Sequence, residues 1–355
     1  MALKLGGLAK AAHGDANRHK MKKKDPSWVN PFRVGRGENL TPSESLVAAT
    51  LDEWYAAKHP KSCDEEIALV NSLKVSECPF CGSKSIAKNG RRKDGIQRYL
   101  CHACGRFFNP LTGTVFDSRR IPISEWVEYL LHLFEFHSVT TSSRDNRNAK
   151  TTGFYWLSKV FATLSGCQGG VMLEGRVWLD ETFVPVDRQE RVTRGGKRLR
   201  GLSRNLIAIG VAASENGMYA VVEWASKPSK KRTFELFKGH IRPGSTLVHD
   251  GDNSHSKLIK ELGLVSEVHP TKETKGLDDK NNPMDMVNNI HGLLKRFLRE
   301  HGGYARDHLQ GWVDLFWFIW SDPPSRYEKV AVFFQKAVLG KKVIRYRSLF
   351  RKKKR

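Results

Sequence analysis

Four cysteines, Cys78, Cys81, Cys101 and Cys104, are spaced C-x2-C-x19-C-x2-C, and no other feature narrows the folds open to this chain so far. Four thiolates at tetrahedral distances suit zinc, whose filled d shell imposes no geometry of its own. Gly82 and Gly105 follow the two pairs directly, where a residue without Cβ lets the backbone turn tightly about an ion. The spacing predicts a zinc ribbon over residues 75–110 with a structural Zn2+. Between the pairs stand Lys88, Arg91, Arg92, Lys93 and Arg98, which favours a nucleic-acid partner over a protein one. Cys63 and Cys167 stand alone and read as small buried residues.

The charge points the same way. In 355 residues, 60 Lys and Arg oppose 37 Asp and Glu, for a net charge of +23. Each cation that displaces a phosphate counterion adds affinity, so such an excess favours a polyanion. The densest apolar run, LFWFIW at 315–320, falls far short of the roughly 20 residues a spanning helix needs. The N-terminal segment lacks the continuous apolar stretch of a secretory signal. The expectation is a cytoplasmic, nucleoid-associated protein with double-stranded DNA as partner and no membrane.

The pattern along the chain predicts a multidomain α/β protein. Residues 1–40 read as a disordered basic arm. Residues 41–74 read as a helical element, with Thr41, Pro42 and Glu44 supplying a capped start. After the ribbon, residues 120–168 read as a helix-turn-helix-like unit. Ile123, Trp126, Val127, Leu130, Leu131 and Phe134 give one apolar face, and Lys150 and Lys159 lie in the later helix with Arg144 and Arg147 nearby. A recognition helix needs apolar anchors behind and basic side chains in front; an ordinary basic helical hairpin has the same pattern. Residues 174–338 alternate short apolar runs of β character with helical segments, which predicts a mixed sheet covered by helices. A basic tail, 339–355, closes the chain.

Within that α/β region, VWLDETF ends an apolar run with Asp180 and Glu181, and TLVHDGDN ends another with Asp250. Carboxylates at the ends of different strands can converge on divalent metal and serve phosphodiester cleavage. Each alone is more often a turn residue. A later helix, NNPMDMVNNIHGLLKRFLRE, has Val287, Ile290, Leu294 and Phe297 on a core face and Asp285, Asn288, Gly292, Lys295 and Arg299 on a polar one. The polar face is either solvated or brings Asn288 to metal and Lys295 to phosphate.

At these residues the chain resembles the zinc-ribbon insertion-sequence transposases of bacteria and archaea, whose catalytic core has the ribonuclease H-like fold. The similarity covers roughly residues 75–335 and rests on CPFC…CHAC, the helices after it, LDETFV, PGSTLVHDG and VNNIHGLLKRFL. That family's Asp, Asp, then Glu or Asn, with Lys seven residues on, implies Asp180, Asp250, Asn288 and Lys295 as catalytic residues. The first three imply a two-metal Mg2+ or Mn2+ site. Asn brings one negative charge fewer than Glu, which makes Asp285 the alternative third ligand, with Glu181 and Asp252 as further neighbours. The resemblance implies binding to terminal inverted repeats, hydrolysis at each end, strand transfer to target DNA, and a dimer or larger assembly on DNA. It also implies that Arg194, Lys197 and Arg198, in the Arg- and Gly-rich insert, contact phosphate; an exposed basic hairpin is the plainer reading. Two alternatives stay open: a non-catalytic DNA-binding regulator with a decayed core, and a structure-specific nuclease of the same fold.

Overall fold

The computed structural model describes residues 64–350 except 188–189, 226, 279 and 302–305. The expected basic arm, the helical element up to residue 63, Cys63 and the last five residues of the basic tail lie outside the described residues. Two compact units divide the chain. Among the described residues, the first comprises 64–130 with Ala337–Val343, and the second 131–336 with 344–350.

In the first unit, α1 (Asp64–Ser72) precedes an antiparallel sheet of β1 (Ile86–Arg91), β2 (Gln97–Cys101) and β3 (Phe107–Phe108). Phe108 stacks on Tyr99 at 5.6 Å and packs with Cys78 and Cys101 in a small core. Buried Glu66 of α1 pairs with Arg119 and accepts from the backbone N–H of Ser124 at 3.1 Å. The helix α2 (Glu125–Phe134) begins in this unit. Trp126, Leu130 and Phe134 are buried as its periodicity predicts, and so is Tyr129, whereas Val127 is exposed.

The second unit opens with α3 (Val139–Asp145) and α4 (Lys150–Leu164), crossing closely at Gly153, where a Cβ would stand 1.7 Å from Ser143 Oγ. The strands β4 (Arg176–Pro185), β5 (Thr193–Arg194), β6 (Lys197–Arg198), β7 (Leu206–Ser214) and β8 (Gly217–Ala225) follow. After them come α5 (Lys230–Phe237), β9 (Thr246–His249), α6 (Ser256–Leu262), β10 (Val265–Val268), α7 (Thr271–Thr274), α8 (Asp285–His301), α9 (Leu309–Trp320), α10 (Arg326–Leu339) and α11 (Tyr346–Phe350). Five strands make one mixed sheet in the order β10-β9-β4-β7-β8. The β4-β7-β8 meander is antiparallel, and β9 and β10 run parallel to β4. Each parallel crossover carries a helix, as parallel pairing requires.

Side-chain alternation on β4 assigns the two faces. Val177 and Leu179 join Phe237 of α5 and Leu258 of α6 in a fully buried core. Trp178, on the other face, donates from its indole N–H to the Pro283 carbonyl just before α8, at 2.7 Å. The β8 edge is sealed by side chains. Gln168 bonds both the N–H and the carbonyl of Ala220, Gln310 accepts from Val222 N–H, and Trp317 donates to the Met218 carbonyl. An exposed strand edge invites pairing with another chain, and this one is closed off by α9 and by Gln168 in the turn beyond α4.

The helix pair α3–α4 corrects one expectation. It clusters with the sheet unit, and α4 is covered, with Trp156, Leu157, Val160 and Phe161 buried. Lys159, expected at DNA, is 3% exposed and lies over the Tyr155 ring at 4.4 Å. Burial removes it from any phosphate-facing surface. Among the described residues no helix is long and apolar enough to cross a membrane.

Candidate metal and nucleic-acid sites

In β4, Asp180 and Glu181 are consecutive, and successive strand residues face opposite sides of a sheet. Asp180 turns toward α8. Glu181 turns to the α5 side, into a polar pocket lined by His255, Glu223 and Thr233. The last parallel pair between β4 and β9 is Trp178↔Val248. Asp180 and Asp250 each lie two residues further along adjacent strands, which sit roughly 4.8 Å apart. Asp180 thus stands in the middle of β4, beyond the point where β9 stops pairing with it, and not at a strand end as the sequence suggests; Asp250 stands just past the end of β9.

Asp180 Oδ1 accepts from the Glu181 N–H at 2.8 Å. Burial, and then the charges of Glu181 and Asp250, push its carboxyl up to about 7. Asp250 Oδ1 accepts from Asp252 N–H at 2.8 Å. Gly251 between them has φ +86, and a Cβ there would meet Val268 Cγ1 at 2.9 Å, so this tight turn needs glycine. Asp252 is committed elsewhere: its side chain caps Ser254 N–H at 2.8 Å and pairs with Lys227 at 3.0 Å.

Glu181, 6% exposed at its side chain, meets His255 Nε2 at 3.0 Å. Burial works against a charged His255, but the Glu181 hydrogen bond and the nearby Glu181, Asp250 and Asp180 charges outweigh it and raise the pKa. His255 Nδ1 faces His249 Nδ1 at 3.2 Å, and His249 Nε2 bonds Ser266 Oγ at 2.9 Å. Burial, and then His255, lower His249 to about 4. Glu223 enters from β8 at a bulge, accepts from Thr233 at 2.9 Å, and is held up in pKa by burial and by Glu181. The strand between, β7, presents Gly210 opposite Glu181. A Cβ there would stand 2.5 Å from Glu223 Oε1.

From α8, His291 reaches Asp180, its Nδ1 3.8 Å from Oδ2. Burial, and then the Lys295 charge, lower it to about 4, so it is neutral at physiological pH. Asn288 and Lys295 lie three residues before and four after His291, which puts all three on one side of the helix; both are exposed. Asp285 accepts from Asn289 at 2.9 Å. His291, His255, His249 and Glu223 were missed in the sequence. The available signals were a histidine one helical turn beyond Asn288 and a lone acid inside the apolar run VVEW.

The four cysteines converge within 4.8 Å of one another. Cys78 Sγ and Cys104 Sγ are 3.7 Å apart, and Cys81 Sγ and Cys101 Sγ 3.6 Å. The two pairs sit on equivalent turns: Gly82 N–H bonds the Cys78 carbonyl and Gly105 N–H the Cys101 carbonyl, each at 2.9 Å, with φ +71 and +68. Lys88, Arg91, Arg92, Lys93 and Arg98 are exposed, and Arg98 braces the sheet through Asn89 and the Phe107 ring. In the second unit Lys150 is half-buried. Arg194 and Lys197 are exposed on the β5–β6 hairpin, which also contains Arg198 and turns on Gly195 and Gly196, both at positive φ.

Cys167, expected as a small buried residue, is half-buried, and burial pushes its thiol up to about 12.

Residues 172–321 match the family described as the ISXO2-like transposase domain. A Halobacterium salinarum protein, an uncharacterized protein in transposable element ISH50, is 25% identical over 254 residues, 67% of this chain and 83% of that protein. Two solved structures of the Mos1 transposase align at low similarity. The pre-cleavage transpososome has 11% identity over 59% of this chain and 78% of that chain, with a TM-score of 0.25. The strand transfer complex has 12% identity over 61% and 77%, with a TM-score of 0.28. These likenesses lie in the sequence, and over residues 172–321 the chain is similar to the ISXO2-like transposase domain.

Proposed function

We propose that this chain is a transposase that binds the terminal inverted repeats of its own element, hydrolyses a phosphodiester at each end and joins the resulting 3′ hydroxyl to target DNA. The carrying observation is the placement of Asp180, in mid-β4 where the pairing with β9 has ended, beside Asp250 just past the end of β9, with α8 against Asp180 through His291. The order β10-β9-β4-β7-β8, with β7 antiparallel to its neighbours, supports a ribonuclease H-like core.

The donor set fits divalent metal. Burial and neighbouring acids hold Asp180 at about 7, and such crowding of carboxylates favours a cation between them. Asp180, Asp250 and Asn288 would hold Mg2+ or Mn2+, which supplies Lewis-acid activation of the attacking oxygen and charge stabilisation at phosphorus. Asp285 is the substitute for Asn288 one helical turn earlier. His291, neutral, orients the Asp180 carboxylate. Lys295 neutralises phosphate, while Glu181 and His255 fix β4 on its other face. In the first unit the sulfur pairs match the roughly 3.8 Å edge of a tetrahedron with 2.3 Å Zn–S bonds, which supports a structural Zn2+. The exposed cations of that ribbon and of the β5–β6 hairpin contact phosphate.

The test uses the full chain and DNA carrying its own element ends, with Mg2+ or Mn2+. End-specific nicking, and joining of a 3′ end to a second duplex, are expected, and both are lost in Asp180→Ala and Asn288→Ala. Nicking that survives Asn288→Ala moves the third ligand to Asp285. Nicking without joining leaves a nuclease. End-specific binding with no cleavage under either metal overturns the enzymatic reading in favour of a regulator.

A further inference from the structure

The helix α2 ends in a tight reversal that brings two histidines together. Phe136 takes a left-handed conformation, φ +66. Its N–H bonds the Leu133 carbonyl at 3.1 Å, and the next N–H, that of His137, bonds the His132 carbonyl at 2.9 Å. This pair of bonds is the Schellman C-cap, in which the residues occupied here by His132 and His137 normally make an apolar contact. A left-handed conformation is unfavourable for a residue with a Cβ. Phe136 is held in it by edge-on packing against Phe297, 5.0 Å between ring centres. The imidazole rings of His132 and His137 stand 5.1 Å apart.

The chain then turns at Ser138, whose side chain caps Thr141 N–H at 3.1 Å, and α3 returns Asp145 to the same place. One ring nitrogen from each histidine and one Asp145 oxygen lie within 4.8 Å of one another. Nδ1 of His132 and Nδ1 of His137 are both buried and make no hydrogen bond among the described residues. Such atoms are costly unless a partner arrives. The surroundings are already engaged: Arg144 Nε stands 3.4 Å from Asp145, and Glu135, 4.0 Å from His137, pairs with Arg326.

We propose that His132, His137 and Asp145 form a binding site for a divalent transition metal, Zn2+ by preference. Two imidazoles and a carboxylate suit zinc rather than magnesium or calcium, which prefer all-oxygen shells. Three protein ligands leave a fourth position to water or an incoming ligand. Donors bound at 2.0–2.2 Å around a tetrahedral ion stand roughly 3.3 Å apart. Closure therefore needs a side-chain rotation, which His137, 42% exposed at its side chain, is free to make. The ion pins the end of α2 to the last turn of α3. This site shares no residue with the four-cysteine cluster or the Asp180–Asp250 pair.

The test compares the full chain in an Asp180→Asn background with the same chain carrying His137→Ala or His132→Ala. Each is stripped with mild chelator and titrated with Zn2+ alone. Bound zinc is counted by native mass spectrometry, and melting is followed in parallel. The parent is expected to take up one more Zn2+ than either variant, with affinity at that site falling at least tenfold, and zinc should raise the parent Tm more than theirs. Equal zinc counts and equal Tm shifts in parent and variants overturn the proposal. Should His132→Ala fail to fold, His137→Ala, at a half-exposed position, decides the question alone.

Discussion

His255 Nε2 lies 3.0 Å from Glu181 Oε1, with both side chains buried, on the face of the sheet opposite Asp180. Removing one partner of such a pair strands the other charge away from water. Glu181→Gln and His255→Gln are each expected to destabilise the fold by about 3–5 kcal/mol. The double variant should cost less than the sum of the two. Urea unfolding of the four proteins in this cycle measures it, and strict additivity would show that the pair is not coupled.

Burial and neighbouring acids set Asp180 against its own fold. Its folded-state carboxyl is raised to about 7 from an ordinary 3.8. The native state therefore holds the proton more tightly than the unfolded chain. Its stabilising contribution is complete below about 3.8 and is lost as pH rises through 7. In metal-free protein at pH 8, Asp180→Asn is expected to raise Tm by a few degrees, of the order that 1–2 kcal/mol gives. Calorimetry with and without Mg2+ checks this, because Mg2+ should raise the parent Tm and leave the variant nearly unmoved.

At the far end of α8, His301 stacks on Trp312 at 4.3 Å, with both ring nitrogens buried and without hydrogen bonds among the described residues. Burial lowers it to about 3 from 6.5. Below 6.5 the unfolded chain takes up a proton that the native state refuses, so this contribution, intact above 6.5, drains away as pH falls toward 3. The slope is at most roughly 1.4 kcal/mol per pH unit. His301→Phe is expected to flatten the stability profile between pH 4 and 6.5 relative to the parent. Parallel profiles would mean that water reaches the ring.

The α3–α4 crossing has no room for a methyl group, since a Cβ on Gly153 would meet Ser143 Oγ at 1.7 Å and Ser143 Cβ at 3.0 Å. Gly153→Ala is expected to cost about 1–3 kcal/mol by overpacking, despite the helix propensity alanine adds. Gly153→Ala with Ser143→Gly should recover most of it. Chemical unfolding of the single and double variants decides, and a neutral Gly153→Ala shows that the helices slide apart freely.

The strands of the sheet were legible because alternation and β-branched runs are local signals. VWLDETF, NLIAIGVAA and TLVHDG all appear as β4, β7 and β9. The cysteine cluster was legible because ligand spacing survives without knowledge of the fold. What escaped depended on contacts distant in sequence. Lys159 looked like the basic front of a recognition helix, yet α4 is enclosed on several sides and takes that lysine inside with it. His291 was passed over because the helical wheel sorted its neighbours into polar and apolar faces, and a buried histidine beside a carboxylate belongs to neither. Glu223 reaches Glu181 only because β7 lies between their strands with Gly210 opposite Glu181, a relation no linear pattern carries.

Asp180 and Glu181 differ by one position on β4 and serve opposite faces of the sheet. The strand is pinned to β7 by eight paired residues, Trp178↔Ala213 through Pro185↔Leu206. A slip of one residue exchanges the inward and outward sets. The carboxylate that faces α8 then enters the apolar interior, and the one that bonds His255 points outward. A register error in this core is therefore an electrostatic error as well: a misaligned strand loses both the crowded carboxyl of Asp180 and the Glu181–His255 pair, whatever else of the shape it retains.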